Sequence, residues 1–211
     1  MKILRGLLLV LLLSACQSSM IANLVTQPGE ALYHDDFSDP GSGWPQTVNA
    51  NGSLGYANGA YRVLVQSTGY SLWAVSGQSY GDASVQADAA RLAGPMSNRF
   101  GLICRYQDAN NFYMFIISSD GYYAIGKIRN GKASLPGQAM MTYSSFIKQN
   151  GAAAHLRFDC VGNTLTGAVN GQPIVLIHDA DLADGEAGLI AGTFDEGGAD
   201  IAFDNFVVYK P

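Results

Sequence analysis

Short β-forming runs separated by turn residues are the feature that most restricts how this chain can fold. From Ala31 onward, stretches rich in Val, Ile, Tyr and Phe are interrupted by clusters of Gly, Asn and Asp, a pattern typical of strands joined by tight loops. In one stretch Ser84, Gln86 and Asp88 alternate with apolar residues, as in a strand with one buried face. No segment keeps a helical period beyond two turns, so the sequence predicts an all-β protein.

The spacing of these runs predicts two packed sheets. Asn130-Gly131, Asn170-Gly171 and Asp120-Gly121 are pairs that favour tight hairpins, whereas residues 139–150 are ambiguous. About twelve strands in roughly 180 residues need a second sheet to bury their apolar faces, so we predict an antiparallel two-sheet jelly-roll sandwich. The predicted strands cover residues 31–37, 60–66, 71–76, 83–92, 99–106, 112–118, 122–129, 153–160, 164–169, 174–178, 187–193 and 200–209.

Five short motifs occur in a recognisable order: Asp35-Asp36-Phe37, Gly59-Ala60-Tyr61-Arg62-Val63, Val169-Asn170-Gly171-Gln172, Gly188-Leu189-Ile190-Ala191-Gly192 and Phe203-Asp204-Asn205-Phe206-Val207-Val208. On these motifs, residues 31–210 resemble the concanavalin A-like lectin/glucanase sandwiches. They resemble more closely bacterial lipoproteins with a 3-keto-disaccharide-hydrolase-like or laminin-G-like domain. The resemblance implies the jelly-roll fold. It leaves the activity open, because one fold hosts many functions.

The N-terminal residues predict an export signal. Lys2 and Arg5 precede an apolar run that ends in Leu13-Ser14-Ala15-Cys16, and this run is far shorter than the ~20 residues of a membrane-spanning helix. The Leu-x-Ala-Cys ending resembles the lipobox of bacterial lipoproteins. The resemblance implies that Cys16 is acylated, for example with palmitate, and becomes the first residue of the mature protein. The alternative is an ordinary signal peptide with a chance cysteine.

These signals divide the chain into a signal peptide (1–15), a lipidated cysteine with a flexible tether (16–30) and a β-sandwich domain (31–211). After cleavage, 10 basic and 17 acidic side chains give a net charge of −7. No basic cluster and no phosphate-binding glycine loop remain, so we expect neither nucleic acid nor nucleotide as a partner. The predicted location is the extracytoplasmic face of the cell envelope, with membrane contact through the lipid anchor alone.

The two remaining cysteines indicate a disulfide. Cys104 and Cys160 each lie on the same predicted strand face as their apolar neighbours, so both sulfurs should point inward. Outside the cytoplasm an even pair of cysteines is commonly oxidised. The alternative is two buried free thiols.

The sequence lacks an obvious catalytic constellation. Retaining glucanases of the resembling superfamily carry two glutamates and an aspartate at alternating positions of one strand, and no strand here has that pattern. Asp88 and Asp159 each stand alone on a predicted strand, and His155 is not near a nucleophile elbow. We therefore favour a protein without catalysis, while enzyme status stays open.

One structural calcium ion is implied by the resemblance. In the resembling glucanases, an aspartate of the last strand, a glycine carbonyl before the second strand and the backbone of the first strand hold such an ion. Asp204, Gly59 and Asp36 match those places. Carboxylate and carbonyl oxygens are the ligands that calcium prefers. The alternative is that both aspartates are ordinary strand-end residues that accept backbone hydrogen bonds.

Aromatic and polar residues of the central strands suggest a ligand surface. Sugars stack on aromatic rings while their hydroxyls meet planar polar groups, and a curved sheet face can present both. We predict a non-catalytic glycan-binding module, with two alternatives: a glycoside hydrolase related to the 3-keto-disaccharide hydrolases, or a protein-interaction module. Each residue could instead serve only the core or cross-strand pairing. The candidate ligand residues are Trp73, Gln86, Asp88, Arg105, Tyr113 and Tyr122.

Overall fold

The computed structural model describes residues 29–149 and 152–211, and all regular structure in this part is β-strand. None of it is a helix long and apolar enough to cross a membrane. The predicted signal peptide, Cys16 and most of the predicted tether lie outside the described residues. The strands are β1 (Ala31–Asp35), β2 (Thr47–Asn49), β3 (Gly52–Ala57), β4 (Ala60–Val65), β5 (Ser71–Tyr80), β6 (Ala83–Ala93), β7 (Asn98–Asp108), β8 (Asn111–Ile117), β9 (Tyr122–Arg129), β10 (Lys132–Ser134), β11 (Thr142–Tyr143), β12 (Ala154–Val161), β13 (Thr164–Val169), β14 (Gln172–His178), β15 (Gly185–Thr193) and β16 (Ala199–Tyr209).

The strands form two antiparallel sheets, which confirms the predicted jelly-roll sandwich. The nine-stranded sheet has the order β14-β13-β12-β6-β16-β4-β3-β2, and β1 also pairs with β16. The seven-stranded sheet has the order β10-β9-β8-β7-β15-β5, and β11 also pairs with β9. Strands that are distant in sequence are neighbours in both sheets, so each sheet face collects residues from the whole domain.

All twelve predicted strands are present, and four short strands are additional. The Asn130-Gly131 and Asn170-Gly171 turns have positive φ at both residues, as their hairpins require. β2, β3, β10 and β11 were not predicted because their segments are short or rich in Gly, Ser and Asn. β3 depends on Gly52, whose φ is 145° and where a Cβ would lie 2.0 Å from the Leu64 carbonyl oxygen.

The two sheets pack face to face over one apolar core. The core includes Phe115 and Phe158, whose ring centroids lie 6.0 Å apart across the two sheets. Cys104 of β7 and Cys160 of β12 form the predicted disulfide, with Cα atoms 6.7 Å apart, and this bond joins the two sheets. Because the core and its cross-link lie within the described residues, we expect the part from residue 29 onward to fold by itself.

One end of the sandwich is closed by aromatic side chains around Trp44. The Trp44 ring lies 5.2 Å from Phe37 and 4.9 Å from Phe206, and its Nε1 donates a hydrogen bond to the Tyr33 hydroxyl at 2.9 Å. Tyr61 packs beside them and is fully buried. Burial of the phenol raises the pKa of Tyr61 well above its usual range. This end is therefore filled by the protein's own rings.

Candidate functional site

The outer faces of the two sheets differ in their side chains. On the nine-stranded sheet, β6, β12 and β16 carry polar residues that satisfy one another, and we call this surface the polar face. His155 Nδ1 lies 2.9 Å from Asp88 Oδ1, and Asn205 Nδ2 donates to Asp88 Oδ2 at 2.9 Å. Arg157 Nε donates to Asp159 Oδ1 at 2.8 Å. The contacts of Asp88 pair neighbouring strands, and the Arg157–Asp159 contact lies within β12.

The outer face of the seven-stranded sheet is apolar and contains a cavity of about 460 Å³. This volume falls within the range of about 300–1,000 Å³ that is common for small-molecule sites. We call it the outer cavity. Its polar lining residues are Ser71, Arg99, Asn110 and Ser134, and its larger apolar ones are Trp73, Phe112, Met114, Ile116, Ile128, Leu135, Met141, Ile190 and Phe194.

β8 explains why this face is apolar. Phe112, Met114 and Ile116 point to the outer face, while the residues between them point into the core. A strand that is apolar on both faces needs cover on both sides. The Phe112 ring packs against Trp73 at a centroid distance of 5.7 Å, and together the two rings form the aromatic part of the cavity wall.

The segment between β10 and β11 provides further cover. Leu135 and Met141 at its two ends pack on the outer apolar cluster. The side chain of Gln138 holds the segment against the sheet, because its Oε1 accepts the Ile125 N–H at 3.1 Å and its Nε2 donates to Thr142 Oγ1 at 3.2 Å. The cavity is therefore closed on one side by a segment with its own hydrogen bonds to the sheet.

Arg99 supplies the positive charge of the cavity. Its Nε donates to Ser71 Oγ at 3.0 Å and its Nη2 to the Tyr70 carbonyl at 3.3 Å, while the guanidinium lies 4.8 Å from the centre of the Phe194 ring. Gly192 makes room for this arrangement, since a Cβ there would lie 2.6 Å from Arg99 Nε. Loss of hydration on burial lowers the pKa of Arg99 from its ordinary value.

The structure separates the predicted ligand residues, which corrects the expectation of one shared surface. Trp73 lies in the wall of the outer cavity. Gln86 and Asp88 do point outward, but on the polar face of the other sheet, where both contact His155. Grouping Trp73 of β5 with Gln86 and Asp88 of β6 was wrong, because these two strands, although consecutive in sequence, belong to different sheets.

Arg105 and Tyr113 were also predicted as ligand residues, but both are buried. Arg105 has a φ of 52° at a bulge of β7, and its side chain turns inward to donate to the Leu182 carbonyl at 2.9 Å. The Tyr113 hydroxyl donates to the Asp179 carboxylate and accepts the Leu182 N–H at 3.2 Å. Burial raises the pKa of Tyr113 to about 12. Neither side chain is available to stack on or bind a surface ligand.

Tyr122 lies outside the cavity, at the start of β9. Its ring meets Tyr143 of β11 edge-on at a centroid distance of 5.7 Å, and the exposed Phe146 follows shortly after in the chain. We call these three rings the aromatic rim. They are exposed, in contrast to Trp73, and none of them is among the residues that line the outer cavity.

The proposed calcium residues lie in or directly beside strands that the fold brings together. β1 and β4 both pair with β16, with Asp35 opposite Phe206 and Tyr61 opposite Phe203. Asp36 Oδ1 accepts the Ser38 N–H at 3.0 Å, and Asp204 Oδ1 accepts the Asn205 N–H at 2.7 Å. Hydrogen bonding to Ser38 lowers the pKa of Asp36.

The donor chemistry of this set fits calcium, with two carboxylates and the carbonyl of Gly59, which lies in the β3–β4 turn. Among the described residues, no group of three or more His, Cys, Asp or Glu side chains is arranged to hold a metal ion. A calcium ion at this place would therefore rely on backbone oxygens in addition to the two aspartates.

Sequence reasoning missed most of the cavity wall. Phe112, Met114, Ile116 and Ile190 were assigned to strands but not to a site, and Arg99 was not singled out. One signal was present: residues 112–117 read Phe-Tyr-Met-Phe-Ile-Ile, an apolar run without alternation. Such a run indicates that both faces of the strand are covered, even where nothing in the sequence says by what.

No family model matches the chain, and no curated protein matches it. Solved structures with the same fold include the carbohydrate-binding module CBM66 of Bacillus subtilis, with a TM-score of 0.64 and 20% identity over 80% of this chain and 96% of that one. The β-glucanase of Bacillus licheniformis has a TM-score of 0.59 and 14% identity over 88% of this chain and 100% of that one.

A Bacillus subtilis protein described as having a galectin-like fold is a third such structure, with a TM-score of 0.61 and 11% identity over 87% of this chain and 97% of that one. At these identities the likeness shows the fold alone. The fold is thus shared with both a carbohydrate-binding module and a glycoside hydrolase.

Proposed function

We propose that this protein is a lipid-anchored, extracytoplasmic module that binds glycan in the outer cavity and does not cleave it. The observation that carries the proposal is the composition of the cavity wall. The rings of Trp73 and Phe112 offer apolar faces to a sugar, and Arg99 and Asn110 offer hydrogen-bonding groups. Among the described residues that line the cavity, none is an Asp, a Glu or a His.

Carboxylate-dependent hydrolysis does not fit this wall. Glycosidases need two carboxyl groups about 5–9.5 Å apart. The outward positions of β8 hold Phe112, Met114 and Ile116 instead of acidic residues. Asp88 and Asp159, the strand aspartates considered for catalysis, lie on the polar face and are offset by four residues along neighbouring strands, which corresponds to about 13 Å.

The hydrolase alternative keeps one specific observation in its favour. Asp88 and Asp204 lie directly opposite each other on β6 and β16, and directly opposed residues have Cβ atoms about 4.5–5.5 Å apart. Asp88 also contacts His155 and Asn205. If this protein is a glycosidase, this pair on the polar face is its best acidic centre.

Lipid anchoring is proposed from the Leu13-Ser14-Ala15-Cys16 ending. We expect Cys16→Ser to lose incorporation of labelled fatty acid and to leave the protein unprocessed or unanchored, while Cys104 and Cys160 stay paired. Labelled fatty acid that enters this variant at the wild-type level would contradict the anchor.

The binding proposal is tested with residues 29–211 on a broad glycan array, followed by calorimetry with the best oligosaccharide. We expect binding that depends on Trp73 and an unchanged oligosaccharide after prolonged incubation with concentrated protein. Hydrolysis that disappears in Asp88→Asn would replace the binding module with an enzyme. No binding and no turnover across the array would favour a protein-interaction module, for which the aromatic rim is the available surface.

A further inference from the structure

The wall of the outer cavity is more aliphatic than a site for sugar alone requires. Six of its residues are Met, Ile or Leu, including Met114, Ile128 and Met141. A sugar ring carries several hydroxyl groups, and each loses hydration when it is buried without a hydrogen-bond partner. Flexible methionines and branched aliphatic side chains instead suit an alkyl chain, which needs contact but no hydrogen bonds.

The positions of the lining residues agree with a chain-like ligand. Arg99 lies at the start of β7 and Asn110 lies in the turn that follows this strand, so the two mark opposite ends of the wall. Other lining residues lie on β5, β8, β9, β10 and β15, so a ligand that contacts both ends has to cross the sheet in an extended form, as an alkyl chain can.

The one cationic side chain, at one end of the cavity, sets the orientation of the bound ligand. In the described part of the chain, Arg99 is the only charged residue that lines the cavity, and it forms no ion pair. Its Nε and Nη2 are held by Ser71 and Tyr70, which fixes the plane of the guanidinium. A fixed, partly desolvated guanidinium matches a carboxylate, which it can meet with two parallel hydrogen bonds.

We infer that the outer cavity binds an aliphatic carboxylate, with the alkyl chain along Trp73, Met114 and Ile128 and the carboxylate at Arg99. The inference goes beyond the proposed function in naming a fatty-acid-like ligand. It rests on that proposal only in placing the ligand in the same cavity. Acylated and acidic glycans combine both chemistries, but the chain and its carboxylate are sufficient for the site described here.

The test is calorimetry on residues 29–211 with three twelve-carbon amphiphiles below their micelle concentrations: dodecanoate, dodecyl maltoside and dodecyltrimethylammonium. We expect dodecanoate to bind at least tenfold more tightly than the other two, and acetate not to bind. Arg99→Gln should weaken dodecanoate at least tenfold. Arg129→Gln is the matched control, because Arg129 lies on the same sheet but outside the cavity wall. The affinity of this variant for dodecanoate should stay within twofold of the wild-type value.

A second variant covers the case in which Arg99→Gln does not fold. Ala133 lines the cavity from the exposed edge strand β10, so Ala133→Trp should fill the cavity and abolish dodecanoate binding while the sheet persists. Equal affinity for all three amphiphiles, or dodecanoate binding that survives Ala133→Trp, would overturn the inference. Glycan binding without dodecanoate binding would overturn it and leave the proposed function intact, whereas the reverse result would overturn only the glycan proposal.

Discussion

The two outer faces of this sandwich cover the same core, but they differ in whether their side chains have partners within the fold. On the polar face, Asp88 is contacted by His155 and by Asn205, so its charge already has partners within the fold. In the outer cavity, Trp73 and Met114 are only partly buried, and Arg99 has no carboxylate partner among the described residues. The apolar face, and not the face rich in charged residues, is therefore the one whose side chains lack partners within the described part of the fold.

The largest effect should come from the bond that holds the two faces together. Replacing Cys104 and Cys160 by Ala removes a cross-link between residues 56 apart, for which the chain-entropy model gives about 4 kcal/mol. We expect the free energy of unfolding in urea to fall by about 2–5 kcal/mol. An unchanged unfolding midpoint, with unchanged slope, would show that the sheets are held together without the bond.

Calcium should act on the polar-face sheet and not on the cavity. If an ion binds at Asp36, Gly59 and Asp204, an excess of one hundred times its dissociation constant stabilises the fold by about 2.7 kcal/mol. We expect millimolar calcium to raise the melting temperature relative to chelator, and Asp204→Ala to remove that increase. Asp195→Ala, in an acidic loop away from this set, should keep the response.

The absence of any melting shift between calcium and chelator would remove the ion from the account. If calcium instead changes ligand affinity in the outer cavity without changing stability, the ion acts on the cavity and not on the nine-stranded sheet alone.

Trp73→Ala tests the cavity itself. A well-packed aromatic in a binding site contributes more than about 1–2 kcal/mol, which corresponds to a tenfold or larger loss of affinity. Tyr143→Ala is the matched control, because this exposed ring lies on the same sheet but outside the cavity wall. Calorimetry should show a tenfold loss for the first variant and no measurable loss for the second, and the opposite ranking would move the site to the aromatic rim.

The smallest effect should come from the polar face. The side chains of Asp88 and His155 are 42% and 44% exposed, and even a fully charged exposed pair contributes only about 0–1 kcal/mol. Asp88→Asn should therefore change the free energy of unfolding by less than about 1 kcal/mol and leave ligand affinity unchanged. A tenfold change in affinity would show that the polar face takes part in binding.

The fold was predictable because alternation and turn chemistry are local. Asn130-Gly131 and Asn170-Gly171 specify hairpins through their own backbone preferences, and the inward positions of Cys104 and Cys160 follow from strand periodicity. β3 was not predictable in the same way. Its place depends on the close approach of Gly52 to the Leu64 carbonyl of the neighbouring strand β4, a contact that sequence patterns do not show.

The candidate site was only partly predictable, because strand order decides which residues meet. Trp73 does line a cavity, but Gln86 and Asp88 were grouped with it although β5 and β6 belong to different sheets. Arg105 was assigned an outward position by simple alternation, which fails where a bulge with positive φ reverses the side chain. Sheet membership and bulges are tertiary features, so local sequence patterns do not show which side chains share a surface.

Ligand binding in the outer cavity is tested most directly by locating the bound ligand through amide chemical shifts. Residues 29–211 are titrated with the tightest-binding oligosaccharide or with dodecanoate, whichever the assays above select. We expect the largest shifts on β5, β7, β8 and β15 around Trp73 and Arg99, and no response on the polar face. Shifts centred on Asp88 and His155, with the cavity residues unchanged, would contradict this expectation.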